Sequence, residues 1–276
     1  MSRRTISFTK GHGTGNDFII VFDEMGANDL SASDVKTLCD RHFGIGADGI
    51  LRVVKTAAAG VDAPDTTWFM DYRNSDGSIA EMCGNGLRVF VHYLYETGRI
   101  VEKENLIATR GGIKRVTNLS DGNYKIQMGK PQINIDPLEV QASGRKYLAT
   151  SVHIPNPHAV SFVEDLEEVG SLQTSPIANP DSAFPNGANF EFIKKVGANH
   201  IAMRVFERGS GETLSCGTGV CAAAVVARLN ESQSGDTTWR VDVKGGSLKV
   251  EQSADGEVSL IGPAVLVADG EFHFEK

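Results

Sequence analysis

The chain has 276 residues, 41% of them hydrophobic and 22% charged, with a formal charge of −8; this supports a sizeable core and two ordinary domains or one large one. The acidic balance argues against nucleic acid as the main partner, because phosphate binding needs a basic face. No apolar run approaches the ~18 residues of a membrane-spanning helix, and "MSRRTISFTKGHG" lacks the apolar stretch of a signal peptide, so no membrane association and a cytoplasmic location are expected.

In chain order, strand-like runs bounded by Gly, Asn, Asp and Pro come first with "NDFIIVFD". A helix is predicted from Ser31 or Ser33, as N-cap, through "DVKTLCDRHF" to a stopping Gly44. The strands "GILRVVK" and "TTWFMDY" follow, then a helix over "LRVFVHYLYET" ending at Gly98. "NYKIQMG", "NFEFIKKV" and "HIAMRVFE" are the next strands. A helix over "VCAAAVVARLN" ends near Ser232; it is small and apolar nearly all round and is expected to be buried. "WRVDVKG" and "LKVEQS" complete the strands. Many strands for few helices predict α/β or α+β layers, with each of the last two helices held inside a curved mixed sheet. "GTGNDF" and "GIGADG" match neither a dinucleotide nor a Walker phosphate loop and are read as tight turns.

Pro and Gly thicken between Gly129 and Pro137, which places a domain boundary there. The expected halves are 1–129, carrying Cys83, with the tail 264–276 packing back onto it, and 130–263, carrying Cys216. An internal repeat supports the division: "EMCGNGLRVFV" aligns with "LSCGTGVCAAA". Asn74 and Glu207 each follow a strand nine residues before the cysteine, and Asn16 in "NDFII" aligns with Asn189 in "NFEFI". Two homologous halves about a pseudo-twofold axis are expected.

Four cysteines in a reducing compartment argue against structural disulfides, and Cys39, Cys83, Cys216 and Cys221 lack the paired spacing of a zinc site, so no metal is expected. Cys39 and Cys221 read as buried small hydrophobes. Cys83 and Cys216 differ, because each stands at a helix start, where the positive end of the backbone dipole lowers a thiol's pKa from ~8.5. The glycines at 84, 86, 217 and 219 let another molecule approach the backbone. The N–H groups of Gly84, Asn85, Gly217 and Thr218 could hold a carboxylate. If both helix starts converge on one cleft, one thiolate takes a proton from a carbon while the other thiol returns one to the opposite face, which inverts the centre. "IPNPHAV" carries Asn156 and His158 on a loop stiffened by two prolines, readable as a functional loop or as an ordinary strand-entry turn. The histidines at 12, 42, 92, 200 and 273 show no partner pattern.

In order along almost the whole chain, "GTGNDF", "DRHFGIGADG", "YRNSDGSIAEMCGNG", "NPH", "PNGANFEF" and "ERGSGETLSCGTG" resemble the diaminopimelate epimerase family. The resemblance implies two pseudosymmetric α/β domains with the active site in the cleft between them, usually in a homodimer. It also implies interconversion of L,L- and meso-diaminopimelate without a cofactor, on the way to lysine and peptidoglycan. By position, Cys83 is implied as the base on the L,L isomer and Cys216 as the proton donor. Asn16, Asn74, Asn156 and Asn189 resemble substrate-binding asparagines, and Arg208 the bidentate partner of the distal carboxylate. The amides of Gly84, Asn85, Gly217 and Thr218 would hold the reacting carboxylate. Glu207 and His158 match residues that tune the thiols or position the substrate. The chain departs from the family at Gly49, where many members have Gln, at Pro155, commonly Gly, and at Val89, often Cys.

Four other functions compete with this one. A proline or hydroxyproline racemase shares the two cysteines but tends to show "CGHG", lacks "ERGSGET" and gives Arg208 no second carboxylate. A dithiol redox or metal-binding protein leaves the asparagines and Arg208 idle, and a non-catalytic amino-acid-binding module has no need of two thiols. A pyridoxal phosphate racemase would need a lysine and phosphate-loop constellation that does not stand out.

Overall fold

Short alternating runs separated by Gly, Asn and Asp fold here as strands, and the helices serve as crossovers between parallel neighbours. The computed structural model describes residues 4–63 and 66–274. They divide into two compact units, Met1–Ile126 with Pro263–Lys276, and Gln127–Gly262.

The first unit contains β1 (Thr5–Gly13), β2 (Asn16–Phe22), β3 (Gly49–Lys55), β4 (Trp68–Asn74), β5 (Glu104–Thr109), β6 (Gly112–Asn118) and the start of β7 (Asn123–Gly129), with helices α1 (Ala32–Cys39) and α2 (Gly84–Glu96). The second contains β8 (Gln132–Ala142), β9 (Arg145–His153), β10 (Pro157–Phe162), β11 (Ile177–Asn179), β12 (Asn189–Gly197), β13 (His200–Glu207), β14 (Gly211–Glu212), β15 (Thr237–Val243), β16 (Gly246–Gln252) and β17 (Val258–Pro263), with helix α3 (Gly217–Asn230). The last strand, β18 (Val265–His273), pairs antiparallel with β1 of the first unit.

The two units repeat one strand topology. In the first, the neighbours run β18-β1-β2-β3-β4-β5-β6-β7, with parallel steps only at β2–β3 and β4–β5. In the second they run β8-β9-β10-β12-β13-β15-β16-β17, with parallel steps only at β10–β12 and β13–β15. A parallel step needs a crossover. α2 and α3 supply the second crossover in each unit, whereas α1 is replaced in the second unit by two short 3₁₀ turns and β11.

Topology corrects one alignment. Sequence alone pairs Asn16 with Asn189, yet Asn16 opens β2 and Asn189 opens β12. β12 is the counterpart of β3, because His158↔Asn189 is the same parallel step as Phe18↔Gly49. The counterpart of Asn189 is therefore Gly49. By the same register the counterpart of Asn16 is Asn156, one residue before β10 opens. The pairing of Asn74 with Glu207 stands, since each ends its strand, β4 or β13.

The helix predicted through to Gly44 ends at Cys39. Asp40 leaves the helical region, and its Oδ1 accepts the backbone N–H groups of His42 and Phe43 at 2.8 and 2.7 Å. This local bond competes with the helix ladder. At the other end Ser31 caps with a full capping box to Asp34. "GTGNDF" is a tight turn, as read: Thr14 and Gly15 take φ of 53° and 83°, and Gly13 pairs with Asn16 across them.

α2 packs on β1, β2, β3, β4 and β18, and α3 on β9, β10, β12, β13, β15 and β16. Gly217 to Ala227 are all buried in α3. Strands β1, β5, β6, β8, β9, β10, β11, β14, β17 and β18 were not predicted. β18 shows why: "VLVADGEFH" is mostly exposed, and Gly270 is there so that the Phe8 ring can lie where a Cβ would be, 2.9 Å away. Its pairing is written in β1, far away in sequence.

Candidate active site

In the first unit Cys83 is the N-cap of α2, and its Sγ accepts the Gly86 N–H at 3.4 Å. The helix supplies no partner to its first N–H groups, those of Gly84 and Asn85. Cys83 Sγ lies 3.7 Å from Asn16 Oδ1, which also accepts Asn85 Nδ2 at 3.3 Å. The Asn16 amide is held from behind by Asp48 Oδ2, 2.7 Å from Nδ2. Arg41 grips Asp48 at 2.8 Å and Asp17 at 2.7 Å. Burial would raise the Asp17 carboxyl, yet hydrogen bonds from Arg41 and Lys10 bring it down to about 2. Asn74 joins this group through its neighbours: it stands opposite Gly49 on β3, and the Ser75 N–H donates to the Asp48 carbonyl.

Gly49 has no room for a side chain, since a Cβ there would lie 2.6 Å from the Arg73 carbonyl oxygen and 2.8 Å from the Tyr72 ring. Gln at this position requires the backbone to move. Val89, the second departure, is fully buried in α2. Pro155, the third, is exposed.

In the second unit Cys216 is the N-cap of α3 and its Sγ accepts the Gly219 N–H, again at 3.4 Å. The Thr218 hydroxyl lies 3.4 Å from the same sulfur. Here one expectation fails: a helix start does not make this thiol acidic. Burial first, then the charges of Glu207 and Glu191, raise the Cys216 pKa well above the ordinary thiol value, although the Thr218 and Gly219 bonds pull the other way. Dipole stabilisation at a helix end is modest, and desolvation next to two carboxyls outweighs it.

His158 stands on β10, fully buried, so "NPH" is a strand entry that also carries candidate chemistry. Its Nδ1 is 2.7 Å from Glu191 Oε1, and its Nε2 is 2.9 Å from Asn156 Oδ1. Asn189 Oδ1 accepts the Arg208 backbone N–H at 2.9 Å. The Arg208 guanidinium donates to the carbonyls of Asn186 and Gly187 at 3.0 and 3.4 Å. Glu207 Oε1 accepts the Thr213 hydroxyl. Asn156, His158, Asn189, Glu207, Arg208, Cys216, Gly217 and Thr218 thus fall in the second unit, and Asn16, Asn74, Cys83, Gly84 and Asn85 in the first.

Two residues escaped the sequence reading. Asp48 was visible only as part of a turn motif. Glu191 left a signal, an acid between two phenylalanines in a strand buried on both faces. Cys39 and Cys221 are buried, as expected, and burial pushes the Cys39 thiol up to about 12.

Among known proteins, the family profile of diaminopimelate epimerase matches residues 8–134 and 150–267. A diaminopimelate epimerase from Streptomyces coelicolor is 49% identical over 99% of this chain and 96% of its own length. Two solved structures share the fold. A phenazine biosynthesis protein of the PhzF family from Bacillus anthracis has a TM-score of 0.73 at 18% identity, over 98% of this chain and 99% of its own. A hydroxyproline epimerase from Agrobacterium vitis has a TM-score of 0.68 at 12% identity, over 100% of this chain and 95% of its own. The fold therefore does not separate amino-acid epimerases from one another; the family match does. With both C-G-x-G helix starts and the "ERGSGET" segment inside the matched residues, the chain belongs to the diaminopimelate epimerase family, a family of isomerases.

Proposed function

We propose that this protein interconverts L,L- and meso-diaminopimelate without a cofactor or metal, with Cys83 and Cys216 acting on opposite faces of one α-carbon. The observation that carries the reading is the matched pair of caps: each thiol accepts the third N–H of its helix at 3.4 Å, in two units of the same strand topology. The Cys83 thiolate takes the α-proton of the L,L isomer. The electron pair left on carbon delocalises into the carboxylate, which the N–H groups of Gly84, Asn85, Gly217 and Thr218 would hold, so that stabilisation meets the charge as it develops. The Cys216 thiol then gives its proton to the opposite face and is left as thiolate, with the roles exchanged in reverse. The raised pKa of Cys216 supports its part as the acid. Arg208 would bind the distal carboxylate through its planar fork, and Asn16, Asn74, Asn156 and Asn189 the remaining polar groups. His158 and Glu207 would position the substrate or tune the thiols.

The same reading makes this a cytoplasmic homodimer serving lysine and peptidoglycan precursor synthesis. Of the described residues, no helix is long and apolar enough to cross a membrane. The test is proton NMR of L,L-diaminopimelate with the reduced protein in D₂O, beside a Cys83→Ala variant. One α-proton signal should vanish as the meso isomer appears, and neither should happen in the variant. No exchange by an intact, reduced protein would overturn the assignment.

A further inference from the structure

Glu191 lies on β12 with its side chain fully buried. One carboxyl oxygen, Oε1, is 2.7 Å from His158 Nδ1. The other, Oε2, is buried with no hydrogen-bond partner among the described residues. The other ring nitrogen of His158, Nε2, is 2.9 Å from Asn156 Oδ1. The carboxyl also sits at the root of α3: a Cβ on Gly219 would be 2.6 Å from Glu191 Oε1 and 3.3 Å from Cys216 Sγ. Carboxyl and thiol are therefore near neighbours, with only a glycine between them.

The proton count of this cluster follows from its acceptors. Both nitrogens of His158 face oxygen, and Asn156 Oδ1 can only accept. A neutral imidazole beside an ionised carboxylate would leave one nitrogen lone pair facing an oxygen lone pair at hydrogen-bond distance, with His158 and Glu191 both too buried for water to relieve it. With Asn156 Oδ1 turned toward the ring, as here, the geometry closes only when the His158–Glu191 pair holds two protons. Either arrangement, imidazolium with carboxylate or imidazole with carboxylic acid, puts a proton on Nε2 and leaves the pair with no net charge. The bare Oε2 points the same way, because a buried oxygen without a donor costs less in a neutral or charge-compensated pair than on an isolated carboxylate.

We propose that Glu191 is a positioning residue of this site: by sharing two protons with His158 it keeps an N–H on Nε2, which holds Asn156 Oδ1 inward and turns the Asn156 NH₂ outward as a donor to an anionic ligand oxygen. The inference deepens the epimerase reading and rests on it only for the identity of that ligand. Asn156 alone could present either end of its amide, and the buried pair behind it decides which.

Long-range proton–nitrogen correlation of the full, substrate-free chain reads the His158 ring directly, with His158→Gln assigning the signals. Nε2 is expected to be protonated at neutral pH. Glu191→Leu should release that fixed proton and raise KM for L,L-diaminopimelate about tenfold, the loss of roughly one oriented hydrogen bond. Glu191→Gln, whose amide can donate to Nδ1, should keep the Nε2 proton and stay within about threefold of the parent KM. A bare Nε2 in the parent chain overturns the proposal, as does an unchanged ring in Glu191→Leu. If Glu191→Leu does not fold, loss of the Nε2 proton in Glu191→Gln overturns it and its retention upholds it. The ring result stands even if diaminopimelate is not turned over, in which case only the substrate assignment fails.

Discussion

Gly219→Ala puts the packing at the root of α3 to a direct test. The new methyl carbon would sit 2.6 Å from Glu191 Oε1 and 3.3 Å from both Cys216 Cβ and Sγ. The first distance is closer than carbon and oxygen tolerate, and the carboxyl has little room to retreat. It lies on a strand whose first five residues are buried and is tied to His158 at 2.7 Å. Overpacking of this kind costs ~1–3 kcal/mol. Displacing the carboxyl also weakens a buried bond worth ~1.5–3 kcal/mol. Against this, Ala is a better helix former than Gly by ~1 kcal/mol. The net expectation is a destabilisation of ~1.5–5 kcal/mol, combining these ranges. Gly86→Ala at the matching position of α2 is the control. Its Cβ would meet the end of the Leu51 side chain at 3.1 Å and the Phe18 ring at 3.4 Å, groups that can give way, so a change below about 1 kcal/mol is expected. Urea denaturation followed by circular dichroism, with hydrogen exchange of the α3 amides, measures both. If Gly219→Ala is as stable as the parent chain, the Glu191 carboxyl is not packed tightly against α3.

Cys39 makes stability depend on alkaline pH. Burial raises its pKa in the folded chain to about 12, so the protonated thiol favours folding; that contribution is whole below the unfolded value of ~8.5 and is lost as pH rises toward 12. Each such thiol contributes a slope of ~1.4 kcal/mol per pH unit in that window. Urea midpoints between pH 9 and 11 should fall less steeply for Cys39→Ala than for the parent, with Cys216 still contributing in the same sense, and an equal slope would refute the assignment. Asp48→Ala removes the acceptor that holds the Asn16 amide; KM for L,L-diaminopimelate should rise about tenfold with the circular dichroism intact, and unchanged kinetics would leave Asp48 a purely structural residue. Diamide, by accepting two electrons and two protons, should join Cys83 and Cys216 in a disulfide and stop activity until dithiothreitol restores it; undiminished activity after full oxidation would count against the two thiols facing one substrate.

What the sequence by itself determined is local. The helix after each cysteine, its N-terminal glycines and its stop are written in adjacent residues: Gly98 and Ser232 take the left-handed conformation just past α2 and α3, as a stop signal requires. Strands with apolar runs, such as "GILRVVK" and "NYKIQMG", were legible to the residue. The doubled C-G-x-G was legible too, because a cap, a turn and a helix occupy a few consecutive positions. Tertiary structure alone decided what depends on distant partners. β18 exists because β1 pairs with it across the length of the chain. The counterpart of Asn189 is Gly49 because strand pairing, not residue identity, sets equivalence. The Cys216 thiol is raised rather than lowered because the fold buries its sulfur and, beyond that, brings Glu207 and Glu191 near it from two other strands. A helix end acts through its own backbone, whereas desolvation and neighbouring charge come from whatever the fold brings near, and no local pattern records that.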